Sequence, residues 1–389
     1  MNTSGHAFDA DLIILGGGCA GLSLATRLAT RCAAIKVIVV EPRTEYFEDR
    51  TWCGWRTSPH PYLGCVAATW PQWRVVGGDR IIQRGSSAQP YEMIPASLFY
   101  EESLKTISAS ASVRLHLGGL AEAVTEDPSS VSTRLRDGRI LRGRWVVDTR
   151  PDHATHAYPS LWQNFVGFEI TADASWTDLL GTMPVLMDFQ PSHTSAVQFM
   201  YVLPLGQHRF LCEWTRFSVT HGETEAIEDN LKLWLQQRGC TATMIGRRES
   251  GSLPMSIALA PATAGSRVVR AGTRGGSMRA STGYAFHAIQ RWADCCADAM
   301  AAGGAPLPPA RSALLNFLDE VFLAALQDHP FRGEQIFIDL FERTKPDRLI
   351  RFLSGIPQTG DILPVMASLP WLQFSKAALK ILMQKAVRP

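Results

Sequence analysis

Apolar and polar positions follow three textures along this chain, and each predicts a different kind of structure. Residues 11–15, Asp-Leu-Ile-Ile-Leu, form the short, nearly continuous apolar run of a strand buried on both faces. Gly16-Gly17-Gly18-Cys19-Ala20-Gly21 follows at once, and Leu22, Leu24, Ala25, Leu28 and Ala29 then recur at helical spacing. A second apolar strand over 36–40 ends in Glu41, 20 residues beyond Gly21. Further on, the pattern predicts a brief strand about Ile82, a helix over 96–107 opened by 91–95, and a strand over 112–117. Short strands flank Asp137-Gly138 as a hairpin, and residues 145–148 form a buried strand ending in Asp148. A strand returning to the first sheet in this way belongs to a doubly wound fold.

From about 156 to 262 the texture changes to strand-like pieces at 163–170, 184–189, 197–203 and 209–217, separated by turn residues. They predict an antiparallel sheet with one helix over 223–238, carried by Ile227, Leu231, Leu233 and Leu235. Residues 266–276 read as a short strand and a glycine turn, after which Ser281-Thr282-Gly283 can cap a helix over 284–300. Beyond Gly303-Gly304-Ala305-Pro306 the chain is mostly helical. The expected class is α/β: a discontinuous Rossmann-like nucleotide-binding domain (1–155 and 263–300), an antiparallel β substrate domain (156–262), and a helical C-terminal region (301–389). No internal repeat or low-complexity tract interrupts this order.

The opening texture also carries chemistry. Strand, G-x-G-x-x-G, helix, second strand and terminal acid all stand where a dinucleotide site needs them. Gly16 permits the tight turn, Gly18 lets a pyrophosphate approach the backbone, and Gly21 allows close helix-to-strand packing. The helix N-terminus receives phosphate charge, and Glu41 accepts hydrogen bonds from an adenosine ribose.

Composition narrows the class. With 389 residues, 46% hydrophobic and 19% charged, the chain can bury a sizeable core and is not mainly disordered. A net charge of +2 lacks the basic footprint of a nucleic-acid binder, so no DNA or RNA partner is expected. The eight cysteines include no C-x-x-C pair and no spacing suited to zinc, which leaves them to packing and predicts no metal. The polar first ten residues predict no secretory signal and a cytoplasmic, reducing location. No apolar run reaches the length of a spanning helix.

Three features admit two readings each. Arg43, Arg50, Trp52 and Trp55 crowd residues 42–55, either as a loop with surface arginines and a half-buried aromatic pair or as cofactor contacts. His193 and His287 have no second ligand at useful spacing and are read as structural. Residues 363–383 combine Leu363, Met366, Trp371, Phe374 and Leu379 with Lys376 and Lys380, which suits either a helix on an anionic membrane or one packed on the core.

Read together, several segments resemble the lycopene β-cyclase family of carotenoid biosynthesis. They are Asp49-Arg50-Thr51-Trp52, residues 184–189 (PVLMDF), Tyr201-Val202-Leu203-Pro204, residues 210–215 (FLCEWT), Arg274-Gly275-Gly276, Ser281-Thr282-Gly283-Tyr284 and residues 341–355 (FERTKPDRLIRFLSG). The likeness spans nearly the whole chain in the family's order. It implies a FAD-containing cyclase with a flavin hydroxylase-like fold, the flavin reduced and NADPH as its usual electron donor. The implied substrate is lycopene or a related polyene, met at the inner face of a membrane by a peripheral cytoplasmic enzyme. An acid protonates the terminal double bond of a ψ-end, a neighbouring double bond attacks the cation, and proton loss leaves a β-ionone ring.

The family's acidic motif is often F-L-E-E-T; here Glu213 fits its first Glu and Trp214 replaces its second. Glu213 is therefore the expected acid, with Phe210, Leu211, Trp214 and Phe217 as apolar neighbours able to keep it protonated. Asp188 is expected to assist proton removal or orient Glu213, or else to cap its strand, while Trp52, Trp55 and Trp214 are expected as an aromatic wall or as plain core. For FAD the resemblance implies Gly16, Gly18, Gly21, Glu41, Arg50, Gly272, Gly275, Gly276 and Gly283, with Thr273 where many flavoproteins of this fold have an acid. The alternative reading is a FAD-dependent monooxygenase or reductase of another isoprenoid. A non-catalytic isoprenoid-binding protein on a flavoprotein fold is the third.

Overall fold

The computed structural model describes residues 8–151, 161–172, 176, 180–190, 196–206, 208–240, 245–257, 265–310 and 312–387. Its first sheet grows from the opening apolar run. β1 (Ala10–Leu15) lies parallel between β2 (Val37–Glu41) and β11 (Ile140–Asp148), with Ile14 opposite Val39 on one side and Val147 on the other. β8 (Val113–Leu117) extends the sheet beyond β2, and β17 (Val268–Arg270) pairs parallel with β11. Antiparallel β10 (Val131–Leu135) and β9 (Ala121–Glu126) complete it. Neither face of β1 meets solvent, which is why its apolar residues do not alternate.

α1 (Cys19–Arg31), α2 (Ala96–Ser108) and α4 (Phe286–Ala301) cover one face with a core that includes Leu24, Leu28, Phe99 and Trp292. Arg27 is 2% exposed and donates from Nε to Asp294 at 2.8 Å and from Nη1 to Gln290 at 3.0 Å, tying α1 to α4. Such a charge is tolerable inside because every donor direction is answered by a partner. α4 begins at Phe286 with no side-chain cap; Ser281 instead donates its hydroxyl to Asp319 at 2.8 Å. Residues 281–283 therefore do not cap the helix as expected from sequence, because Ser281 is drawn into a polar cluster with Arg279 and Asp319.

The second sheet runs β16 (Ile245–Met255), β12 (Leu161–Thr171), β15 (Arg209–Ser218), β14 (Val197–Gly206), β13 (Val185–Phe189), β5 (Gln72–Gly77) and β6 (Arg80–Gly85). Two of its strands thus come from the first 155 residues, and β5 joins β13 in parallel. α3 (Thr224–Gln237) packs on one face through Ile227, Leu231, Trp234 and Leu235. The other face meets a small third sheet, β3 (Thr51–Trp55), β7 (Tyr91–Pro95) and β4 (Ala68–Trp70), and the C-terminal helices. The segment 91–95 is therefore a strand in its own right, antiparallel to β3, before α2 begins.

α5 (Ala313–Asp328), α6 (Gly333–Arg343), α7 (Pro346–Leu353), α8 (Ile362–Ser368) and α9 (Trp371–Val387) close that side, with Phe337 of α6 against Phe189 and Phe217. The apolar stretch 363–383 is two helices, broken at Leu369-Pro370 because proline cannot continue α8. Phe374, Ala377 and Ile381 are buried against the core, as the packed-helix reading expects, while Trp371, Leu372, Leu379, Leu382 and Met383 face outward. Among the described residues no helix is long and apolar enough to cross a membrane.

Candidate active site

The glycine turn after β1 is built for close approach. Gly16 has φ +97°, and a Cβ on Gly21 would run into the carbonyl oxygen of Gly16. Gly18, at the N-cap of α1, would have nothing within 4 Å of a Cβ, and the helix start carries neither a side-chain cap nor an acid. Its free N–H groups and positive dipole end face open space, the arrangement that binds phosphate. Glu41 is 4% exposed and accepts from the Gly17 N–H at 2.5 Å and from Arg43 Nε at 2.8 Å. Arg43 and Tyr46, the latter not singled out in the sequence, both donate to the Gly17 carbonyl, so the acid, its counter-ion and the turn form one unit.

The later glycine turn meets the same helix start. Gly272 (φ +65°) would bring a Cβ to 3.1 Å from that of Ala20, and Gly276 also has positive φ. Gly275 packs on the backbone of residues 270–271, and Ser277, buried in this turn, has a hydroxyl without a hydrogen-bond partner. An orphaned buried hydroxyl, two glycine turns and an uncapped helix start fit a dinucleotide. Arg50 is largely exposed and pairs with Asp49 at 2.9 Å, with its charge felt by the Cys19 thiol at the start of α1. Gly283 (φ +72°) stands apart, against Gln163 and Leu253 of the second sheet.

Glu213 projects from β15 toward the third sheet. Strand alternation puts Leu211, Glu213, Thr215 and Phe217 on this face and Phe210, Cys212 and Trp214 on the α3 face. Its neighbour across β14 is Tyr201, whose hydroxyl lies 3.0 Å from that of Tyr91, and Cys53 of β3 hydrogen-bonds Tyr201 as well. On the other side Gly167 of β12 separates Glu213 from Glu249 of β16; a Cβ there would stand 3.4 Å from both side chains. Thr215 Oγ1 donates to Glu213 Oε1 at 2.7 Å. Burial raises the Glu213 carboxyl from 4.5 to about 8, the charge of Glu249 adds to this, and the Thr215 hydroxyl opposes it. The site therefore holds a carboxylic acid still protonated at neutral pH. The thiol of Cys53 and the hydroxyls of Tyr201, Tyr91 and Tyr284 are all pushed up, chiefly by burial, and stay neutral.

Two expected companions of Glu213 lie elsewhere. Asp188 pairs across with Met200, and Met200 with Trp214, so all three occupy the α3 face of the sheet. Asp188 cannot orient Glu213 from there; burial raises its carboxyl, with Arg238 opposing. Trp214 is packed with Met200 and α3, in the core beneath the site rather than in its wall. Trp52 likewise turns away, against Phe99, Tyr100 and Phe286 of the first core. The core on the Glu213 side holds Trp55, Trp70 and Trp73 instead, with Trp55 1% exposed among Trp73, Tyr91 and Tyr284.

The fold also gives His287 the neighbours that sequence spacing did not. His60 Nε2 lies 2.7 Å from Glu92 Oε1 and His287 Nε2 lies 3.5 Å from the same oxygen, all three buried. Arg56 Nη1 is 3.4 Å from the other Glu92 oxygen. Burial, His60, Arg291 and Arg56 push His287 down to about 3. Glu92 already has its positive charge in Arg56, so the cluster reads as a charge-balanced buried network, although its three atoms could approach one cation. His193 lies outside the described residues.

Two cavities flank these groups. One, small and lined by Cys53, Gly54, Trp55, Tyr284 and His287, opens between β3 and the start of α4. The other, lined mostly by apolar side chains including Leu318, Phe322, Phe337, Phe352 and Leu369, lies under the C-terminal helices. Neither is lined by Glu213 itself; the smaller reaches it through Cys53.

The family profile described as "Lycopene cyclase protein" matches residues 11–379. A protein from Pseudescherichia vulneris named lycopene beta-cyclase is 26% identical, covering 94% of this chain and 96% of that one. Among solved structures, a geranylgeranyl bacteriochlorophyll reductase-like protein from Thermoplasma acidophilum superposes with a TM-score of 0.59 at 14% identity, covering 94% of this chain and 98% of that one. A flavin-dependent monooxygenase solved in complex with FAD and substrate gives a TM-score of 0.56 at 13% identity, over 96% of this chain and 72% of that one. These two likenesses carry the fold, an α/β architecture shared with flavin monooxygenases and reductases, and nothing finer.

Proposed function

The chain belongs to the lycopene cyclase family, and from that premise we propose that it is a lycopene β-cyclase closing the ψ-ends of lycopene to β-ionone rings, giving γ-carotene and then β-carotene. The observation that carries this is Glu213, a carboxylic acid held protonated to about pH 8 on an apolar, aromatic face. Protonating an alkene needs such an acid, since an ionised carboxylate has no proton to give.

In the proposed reaction Glu213 donates its proton to C2 of the terminal double bond, leaving a cation at C1. The C5–C6 double bond attacks C1, and loss of the C6 proton forms the ring, so the product has the mass of the substrate. Thr215 orients the acid through its 2.7 Å hydrogen bond, and the rings of Trp55, Tyr91 and Tyr284 offer faces to the cation while excluding water. Gly16, Gly18, Gly21, Glu41, Arg50, Gly272, Gly275, Gly276 and Ser277 would hold FAD, the last by the hydroxyl that lacks a partner. When bound and reduced, with NADPH as electron source, FAD supplies negative charge beside a cationic polyene and no net oxidation.

The apolar side chains gathered under the C-terminal helices support an apolar, hydrocarbon-like substrate. The outward Trp371, Leu372, Leu379, Leu382 and Met383 of α9, with exposed Lys376, support peripheral contact with an anionic membrane surface, the inner face in a bacterial cell. The fold likeness to a reductase and a monooxygenase favours one other reading, redox chemistry on another isoprenoid. Anaerobic incubation of lycopene with the reduced holoprotein, followed by pigment chromatography, separates them: cyclic product of unchanged mass is expected, and product that has gained hydrogen or oxygen overturns the cyclase reading.

A further inference from the structure

We propose that Glu249 is the second carboxylate of the acid site, a positioning residue whose standing negative charge keeps the proton on Glu213. The inference rests on the reading of Glu213 as the acid. Glu213, Gly167 and Glu249 are successive cross-strand partners on β15, β12 and β16, so their side chains share one face with a glycine between them. No side chain at 167 screens the two acids; a methyl group there would touch both.

The two carboxyls differ in what surrounds them. Glu249 is 7% exposed and accepts from Arg247 Nη1 at 2.8 Å and from Thr51 Oγ1 at 3.0 Å. Burial raises the Glu249 carboxyl, and the Arg247 guanidinium and Thr51 hydroxyl oppose this by answering the ionised form, so of the two acids Glu249 is the better placed to carry the charge. Among the described residues Glu213 has one hydroxyl donor, Thr215, and no cation paired with it. Two like charges in one low-dielectric site cannot both persist, and the proton goes to the carboxyl that lacks the cation. Tyr201, its partner on β14, and Cys53, with Tyr91 and Tyr284 behind them, are kept neutral chiefly by burial, so they neither supply nor cancel this charge. Arg247 also faces Glu48 and Glu169, at 3.4 and 3.7 Å, and Glu169 is paired in turn with Arg209, so three carboxylates share two guanidinium groups.

The test is an infrared pH titration of the oxidised holoprotein, following the carboxylic-acid C=O band assigned to Glu213 by its loss in Glu213→Gln. Glu249→Gln should lower the midpoint of that band by about one pH unit, the pull of one charge at this range. Glu249→Asp, which keeps the charge, should titrate close to wild type. An unchanged midpoint in Glu249→Gln, or an equal drop in Glu249→Asp, overturns the proposal. The alkaline limb of kcat should move with the band. Cyclisation that survives Glu213→Gln sinks the acid assignment and leaves the infrared result to judge Glu249 alone. If Glu249→Gln does not accumulate, the carboxyl carbon resonance of Glu249 in wild type must still shift as Glu213 ionises and stay flat in Glu213→Gln; a flat signal in both overturns the coupling.

Discussion

Replacing Glu213 by Gln tests stability and catalysis through one side chain. Burial holds its carboxyl at about 8 instead of 4.5, so roughly nine-tenths of molecules carry the proton at pH 7, against about 0.3% for an ordinary glutamate. That is roughly a 300-fold gain in available acid. The same environment penalises the ionised form. Because the folded value lies above the unfolded one, the associated stability is fully present below pH 4.5 and is lost as pH rises through about 8. Between pH 6 and pH 9 the wild type should lose about 2 kcal/mol that the neutral Glu213→Gln variant keeps, after allowance for partial solvent access to the half-buried side chain. Thermal melts of the oxidised holoproteins at the two pH values measure this. The variant should gain a few degrees over wild type on going from pH 6 to 9, while its cyclisation rate falls at least about 1,000-fold. A melting difference that does not change with pH would refute the account of a carboxyl held protonated by burial.

Other positions separate core from site. Asp188→Asn should leave turnover within about threefold of wild type, since its side chain is on the far face of the sheet; a loss beyond about 30-fold would put it back in the mechanism. Trp214→Ala should cost about 3–5 kcal/mol in denaturant unfolding while ring type in the product is unchanged, because it packs against α3. Gly21→Ala should abolish flavin retention, read as the visible absorbance of purified protein, as its methyl group would displace the Gly16 carbonyl. Exchanging exposed Trp371, Leu372 and Leu379 for Ser should weaken sedimentation with anionic vesicles about 10-fold or more and leave melting within a degree or two; undiminished binding would exclude α9 as the contact.

The sequence made some of this legible because the signal was local. β1, the glycine turn, α1 and β2 stand in one run of 32 residues, and periodicity alone reads them. Glu213 came from motif resemblance, but the fate of its neighbour followed from geometry available in the same strand: period-two alternation sends Trp214 to the opposite side. Asp188 required register across two further strands, which no single segment encodes. Glu249 was hidden because β16, with Arg247, Arg248, Glu249 and Ser250 in succession, lacks the apolar alternation that marks a strand. His60, Glu92 and His287 come from three separate segments and meet only in the folded chain. Strands β5 and β6 cross to the second sheet for the same reason, a pairing of high sequence separation.

The central claim is that Glu213 adds a solvent-derived proton to the polyene and the ring closes without net redox change. Anaerobic turnover of lycopene by the reduced holoprotein in deuterium oxide, with mass analysis of the cyclic product, addresses it most directly. The account predicts one deuterium at C2 for each ring formed, no NADPH consumed in proportion to product, and no product from Glu213→Gln. Ring closure without deuterium at C2, or NADPH consumed once per ring, would contradict it.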